Sequence, residues 1–224
     1  MWKNRKELPV LQKINLSFDA EKLKNALKEV EQKDWNACLG GNFNELRKAY
    51  GSKLSKLAWN ISHKEEPDNW ESLGYHQMAL TKFDENYEIR KNRNSGSKWD
   101  SQFMKNDKKY DERAYSKPLK NLPEYISYVF SKFPHLTRVT LARLLPGQEL
   151  KPHIDYDTTF SCRYHIAIET NEQCFINDNH IPADGSVWFL NQGKKHWAVN
   201  NGNTPRTHLI LKCDSQDLLN ETTQ

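Results

Sequence analysis

The chain has little of what marks several large classes of protein. Its four cysteines, Cys38, Cys162, Cys174 and Cys213, are scattered over 224 residues with no CxxC spacing. That argues against a disulfide framework and against a thiolate metal site. They read as inert free thiols, and a reducing, cytoplasmic setting is the expectation. Only 9 glycines and no Gly-X-Y period exclude a collagen-like repeat. No apolar run approaches the roughly 18–20 residues of a membrane helix, so no membrane partner is expected. The basic stretch from Met1 to Pro9 is not followed by the apolar segment of a secretory signal. What the chain does have is aromatic bulk. Its 7 Trp, 9 Tyr and 9 Phe supply a core that a disordered chain lacks, and its length suits a single domain.

The net charge of +4 is unevenly spread: residues 1–120 hold 24 Lys and Arg against 18 Asp and Glu, leaving 9 against 11 for the remainder. A basic half can neutralise phosphates. Here acids are interleaved with the bases, and no RNP-like, helix-turn-helix or zinc-finger pattern accompanies them. The expected partner is therefore a small-molecule or peptide substrate rather than a nucleic acid.

Leu23, Ala26, Leu27 and Val30 recur at three- and four-residue steps, which predicts an amphipathic helix over 16–33, capped by Ser17 or Asp19. A second helix is expected over 44–57. Residues 60–117 are polar and broken by Pro67, Gly74 and Gly96, and read as strands and loops. The part from Trp70 to Tyr115 is a candidate substrate-covering loop. A further helix is predicted over 123–132, where proline suits the first helical position. From Thr137 the texture changes to short alternating segments at 138–144, 163–168, 174–176, 185–190 and 206–211, separated by Pro146-Gly147, Asn177-Asp178-Asn179, Asp184-Gly185 and Asn201-Gly202. Strands at such spacing suggest a β-sandwich or barrel. The organisation expected is one α+β domain over 1–224. Residues 1–136 form its helix-bearing support, 137–214 its barrel core and 215–224 a tail.

Five of the eight histidines fall between 153 and 208. His153 and Asp155 are two apart, and residues i and i+2 of a strand share a face about 6.5–7 Å apart. With His196 from a distant strand they offer two imidazoles and one carboxylate with open coordination positions, the pattern of non-haem Fe(II) oxygenases. Zn(II) accepts the same ligand types. Arg163 and His165 share one face of a strand whose other face is Tyr164, Ile166 and Ile168. Arg206 likewise opens an alternating strand with Thr207, Leu209 and Leu211 on its other face. Burying such charge is costly unless an anion meets it, and the planar fork of arginine suits a small dicarboxylate.

The pieces Leu144-Leu145-Pro146-Gly147, Pro152-His153-Ile154-Asp155, Arg163-Tyr164-His165-Ile166, Gly185 to Leu190, His196, Asn200 and Arg206-Thr207-His208-Leu209 resemble, in order and spacing, the aspartyl/asparaginyl β-hydroxylase family, which includes bacterial proline hydroxylases. The resemblance covers about 137–214. It implies a double-stranded β-helix (a jelly-roll or cupin-like barrel) and a dioxygenase that uses Fe(II), 2-oxoglutarate and O2 to hydroxylate an amino-acid side chain, free or within a peptide. It further implies that His153, Asp155 and His196 hold the iron, that Arg206 pairs with the distal carboxylate of 2-oxoglutarate, and that Arg163 and His165 flank that cosubstrate. The family's animal aspartyl hydroxylases lack the carboxylate ligand that Asp155 supplies here, and place a serine where this chain has Ala142. Arg143, Tyr156, Asp157, Trp188, Trp197 and Asn200 are the residues expected to contact substrate. The rival readings are a zinc-dependent jelly-roll enzyme and a non-catalytic module that binds a small ligand or a protein partner.

Overall fold

The computed structural model describes residues 3–31, 75–88 and 111–220. The helix expected over 44–57 and much of the candidate substrate loop lie outside the described residues. The chain begins with β1 (Leu11–Ser17) and α1 (Ala20–Glu31). The helix starts later than its hydrophobic spacing suggests, because Leu16 and Ser17 end a strand and Asp19 supplies the cap, its Oδ1 accepting the Lys22 N–H at 3.0 Å. Next come β2 (Tyr75–Ala79), β3 (Thr81–Lys82), a single 3-10 turn (Glu112–Ala114), β4 (Lys117–Pro118) and α2 (Glu124–Phe130). The remaining strands are β5 (Leu136–Leu144), β6 (Gln148–His153), β7 (Cys162–Glu169), β8 (Cys174–Ile176), β9 (Ser186–Leu190), β10 (His196–Asn200) and β11 (Arg206–Cys213). Asp217–Asn220, in the segment expected to be a tail, form α3 with Leu218 and Leu219 buried.

Two antiparallel sheets carry the architecture. The larger runs β1-β9-β7-β11-β5-β2 and the smaller β6-β10-β8. In β11, Leu209 and Leu211 point to one side of the large sheet. There they pack with Tyr164, Ile166, Val139, Leu141 and Phe189 against Leu23 and Leu27 of α1 and Ile126 and Val129 of α2. Each such fully buried side chain contributes roughly 1.5–3 kcal/mol, which seats both helices. The opposite face brings Ala142, Leu144, Ala167 and Leu190 against Ile176 and Ala198 of the small sheet. The large sheet is thus covered by helices on one side and by the small sheet on the other, as in a double-stranded β-helix.

Strands β1 and β2 come from ahead of residue 137, so the large sheet draws on both halves of the chain. Gly185 makes the junction with β1 possible. Its φ is +82°, a Cβ there would land on the Phe18 carbonyl, and its own carbonyl accepts the Phe18 N–H at 2.9 Å. Among the described residues no helix is long and apolar enough to cross a membrane.

Candidate metal and cosubstrate site

His153 ends β6 and His196 opens β10, and the two are directly paired in the antiparallel register, which sets their ring centroids 4.2 Å apart. Asp155 follows in the loop, its backbone N–H held by the Gln192 carbonyl at 2.8 Å. Its Oδ2 lies 4.0 Å from His153 Nε2 and 3.8 Å from His196 Nε2. The ligand atoms of all three lie within 4.8 Å of one another, close enough for small side-chain rotations to gather them on one ion. Each histidine is turned for that task by its own strand. His153 Nδ1 sits 2.7 Å from the Lys151 carbonyl and His196 Nδ1 3.0 Å from the Lys194 carbonyl. A ring nitrogen that faces a carbonyl carries the proton, so both Nε2 atoms present lone pairs. His196 Nε2 is buried without a hydrogen-bond partner, as expected of a metal ligand. Burial, followed by the nearby Arg163 and His153, pushes the His196 imidazole down to about 4, so it is neutral and able to ligate at pH 7. Burial opposes ionisation of Asp155, but Arg163 foremost and then the two histidines outweigh it and hold its carboxyl well below the usual range.

The inner face of the large sheet supplies the rest. Arg163 and His165 of β7 and Arg206 and His208 of β11 all project there, opposite the small sheet. Arg163 Nη2 donates to Asp155 Oδ2 at 2.6 Å while its Nε is buried and unpartnered. Arg206 Nη2 lies 3.1 Å from His208 Nδ1, and that nitrogen lies 3.3 Å from His165 Nδ1. The Nε2 atoms of His165 and His208 have no partner. Burial pushes both imidazoles well below their ordinary value, helped by Arg163 for His165 and by Arg206 for His208. Burial also brings Arg206 down to about 10, and among the described residues no carboxylate pairs with its guanidinium. A buried cation ringed by unsatisfied ring nitrogens fits an acceptor-rich anion, which is the chemistry of a dicarboxylate cosubstrate. Ala142 lies directly opposite His208 in the ladder, on this same face.

A sequence profile of the family described as Aspartyl/Asparaginyl beta-hydroxylase matches residues 67–215. The chain belongs to that family. This hydroxylase is accordingly an Fe(II)- and 2-oxoglutarate-dependent oxygenase by class, and the His-Asp-His cluster is the donor set that class employs. Among solved structures, it is similar to a Pseudomonas putida prolyl-4-hydroxylase (12% identity, 91% of each chain covered, TM-score 0.39). It is also similar to a viral collagen prolyl hydroxylase from Paramecium Bursaria Chlorella virus-1 (9% identity, 92% of this chain and 97% of that one, TM-score 0.38). A third likeness is to an oxidoreductase of the 2OG-Fe(II) oxygenase family from Burkholderia pseudomallei (12% identity, 69% and 74%, TM-score 0.33).

Of the six residues expected to contact substrate, four are engaged by other parts of the structure or alternate away from the inner face. Arg143 shares the helix-covered side with Leu141 and Val139, where it pairs with Glu169 at 2.9 Å and donates to Thr207 Oγ1. Trp197 alternates out of the barrel, since His196, Ala198 and Asn200 are the buried positions of β10. Asp157 organises its own turn by accepting from Thr159 N–H and Oγ1, both at 3.0 Å. Asn200 is fully buried and saturated: its amide donates to the Leu144 and Thr204 carbonyls, and its Oδ1 accepts from Asn171 and Gly202. Trp188 does face inward, paired across the ladder with His165. Tyr156, one residue beyond Asp155, packs its ring 4.4 Å from that of Phe160.

The structural role of Asn200 has a measurable consequence. Asn200→Ala leaves buried carbonyls unpaired and is expected to cost on the order of 1–3 kcal/mol, seen as a lower midpoint in denaturant, with substrate KM unchanged. A raised KM at unaltered stability would restore its substrate role.

Sequence reasoning missed His208, although the same alternation that turned Arg206 inward also turns His208. It missed Tyr75, a buried inner-face residue whose phenol is raised chiefly by burial, because β2 has no periodic signal. It also missed the buried ion cluster of Lys212, Glu112 and Arg138.

Proposed function

We propose that the hydroxylase inserts oxygen into a C–H bond of an amino-acid side chain, coupled to conversion of 2-oxoglutarate to succinate and CO2. One oxygen atom of O2 goes to the product alcohol and the other to succinate. His153, Asp155 and His196 would hold the iron. When bound, that ion supplies the activation of O2 and the chelation of the 2-oxo acid. Arg206 would take the distal carboxylate through two parallel N–H donors, and Arg163 and His165 would flank the cosubstrate. The observation that carries this reading is Arg206 itself, a buried guanidinium with no carboxylate partner among the described residues and close to His208. A zinc-dependent jelly-roll enzyme gives such a residue nothing to do.

The protein's own contribution is orientation and exclusion of water. The backbone carbonyls of Lys151 and Lys194 orient the imidazoles, and the neutral His165–His208 pair lines the Arg206 end of the barrel without adding a charge of its own. The described segments fit one oxygenase domain, because β1 and β2 complete the sheet begun by the later strands. The three described cysteines are buried free thiols, which supports a reducing, cytoplasmic setting.

The test is succinate release by the purified protein with Fe(II), 2-oxoglutarate and O2, first alone and then with pools of free amino acids, beside His153→Ala. Release that needs iron, rises with one pool and vanishes in the variant is the expected result. No release, together with no anaerobic 2-oxoglutarate binding, would leave the zinc-enzyme or binding-module readings.

A further inference from the structure

Beyond the triad, the inner face holds a second group of charges that the chemistry above does not use. Lys212 of β11 stands directly across the ladder from Arg163 of β7, whose guanidinium donates to Asp155, and Asp155 contributes to the field at Lys212. Lys212 Nζ donates to both oxygens of Glu112, at 2.8 and 2.7 Å. Arg138 approaches the same carboxylate at 3.7 Å. Only 10% of the Lys212 side chain and 5% of the Glu112 side chain are exposed.

A lysine–glutamate pair this deeply buried is expensive: desolvation of the two charges commonly outweighs their attraction, and an apolar pair would serve the core as well. Its place next to the metal ligands suggests another use. A zwitterion fits the pair without burying net charge. Its carboxylate can replace Glu112 on Lys212, and its ammonium can replace Lys212 on Glu112, conserving the number of ion pairs.

We infer that Lys212 and Glu112 form the head-group site for a free α-amino acid, Lys212 receiving its carboxylate with help from Arg138 and Glu112 its ammonium, so that its side chain extends toward His153, Asp155 and His196. This rests on the oxygenase reading above and narrows its substrate from any amino-acid side chain to that of an uncapped amino acid. A residue within a peptide has neither charge and cannot make the exchange.

The experiment uses the full chain with Fe(II), 2-oxoglutarate and O2 and a panel of L-amino acids, each also supplied as its N-acetyl and carboxamide derivatives. At least one free amino acid is expected to stimulate succinate release, with both capped forms at least tenfold poorer. Lys212→Met should raise the KM of that amino acid tenfold or more. Because this variant strands Glu112, the double variant Lys212→Met/Glu112→Gln, which leaves neither member of the pair charged, is measured beside it and should show the same loss. The inference is overturned by capped derivatives or peptides that work as well as the free amino acid, or by an unchanged KM in the folded double variant. It is equally overturned if no free amino acid stimulates a protein that releases succinate by itself. Calorimetry of the panel against the Mn(II)-loaded protein separates the two levels. Amino-acid binding that is lost in the double variant, without succinate release under any condition, would retain the head-group site and remove the oxygenase reading; absence of binding would remove the head-group site.

Discussion

His196→Ala is expected to lower both metal affinity and iron-dependent succinate release by more than about 100-fold, because loss of even an outer-shell partner commonly costs 10–100-fold. His196 opens the central strand of the small sheet: β10 pairs with β6 so that His196 meets His153, and its Nδ1 is fixed by the Lys194 carbonyl. Without that ring, His153 and Asp155 remain as a two-point site beside Arg163, whose charge competes for the Asp155 carboxylate. Titration with Mn(II), followed by the quenching of tryptophan fluorescence, reads the affinity directly and does not depend on turnover. Affinity within threefold of the parent protein, in a variant with an unchanged melting temperature, would move the metal away from these three residues.

Arg206→Met is expected to act with opposite signs on binding and on stability. Removing one partner of a buried charged contact costs roughly 2–5 kcal/mol, so KM for 2-oxoglutarate should rise about 100-fold. The same substitution removes a desolvated guanidinium that no described carboxylate compensates. In the absence of 2-oxoglutarate the variant should therefore be as stable as the parent or more stable, by on the order of 1 kcal/mol, when unfolded in urea. Arg206→Lys keeps the charge but loses the planar fork, and should fall between parent and methionine variant in KM. A methionine variant that binds 2-oxoglutarate normally would assign the cosubstrate to another cation. One that loses stability as well as binding would make Arg206 part of the scaffold.

The chemistry of the site was legible in the sequence because it depends on residue type and short-range spacing. His153-Ile154-Asp155 and a later histidine name a donor set whatever the topology, and alternation along 163–168 and 206–211 is a property of any strand. Alternation could not say which face of a strand is the inside. In the large sheet both faces are buried, one under helices and one under the small sheet, so β5 reads as nearly continuous burial. Arg143 therefore looked like a pocket residue although it faces the helix-covered side, while Arg138, on the other parity, reaches Glu112. Asn200 ends a strand and bonds Leu144 and Asn171 from distant segments, Asp157 bonds Thr159 within its own turn, and a polar side chain saturated by structure is indistinguishable in sequence from one kept for a substrate. The Lys212–Glu112 pair joins residues 100 apart, through a 3-10 turn with no periodic signature. Short-range pattern determined which chemical groups this protein has for oxidising a C–H bond. Only the closing of one sheet over the other decided which of them share the inner face, because that choice is made by long-range burial.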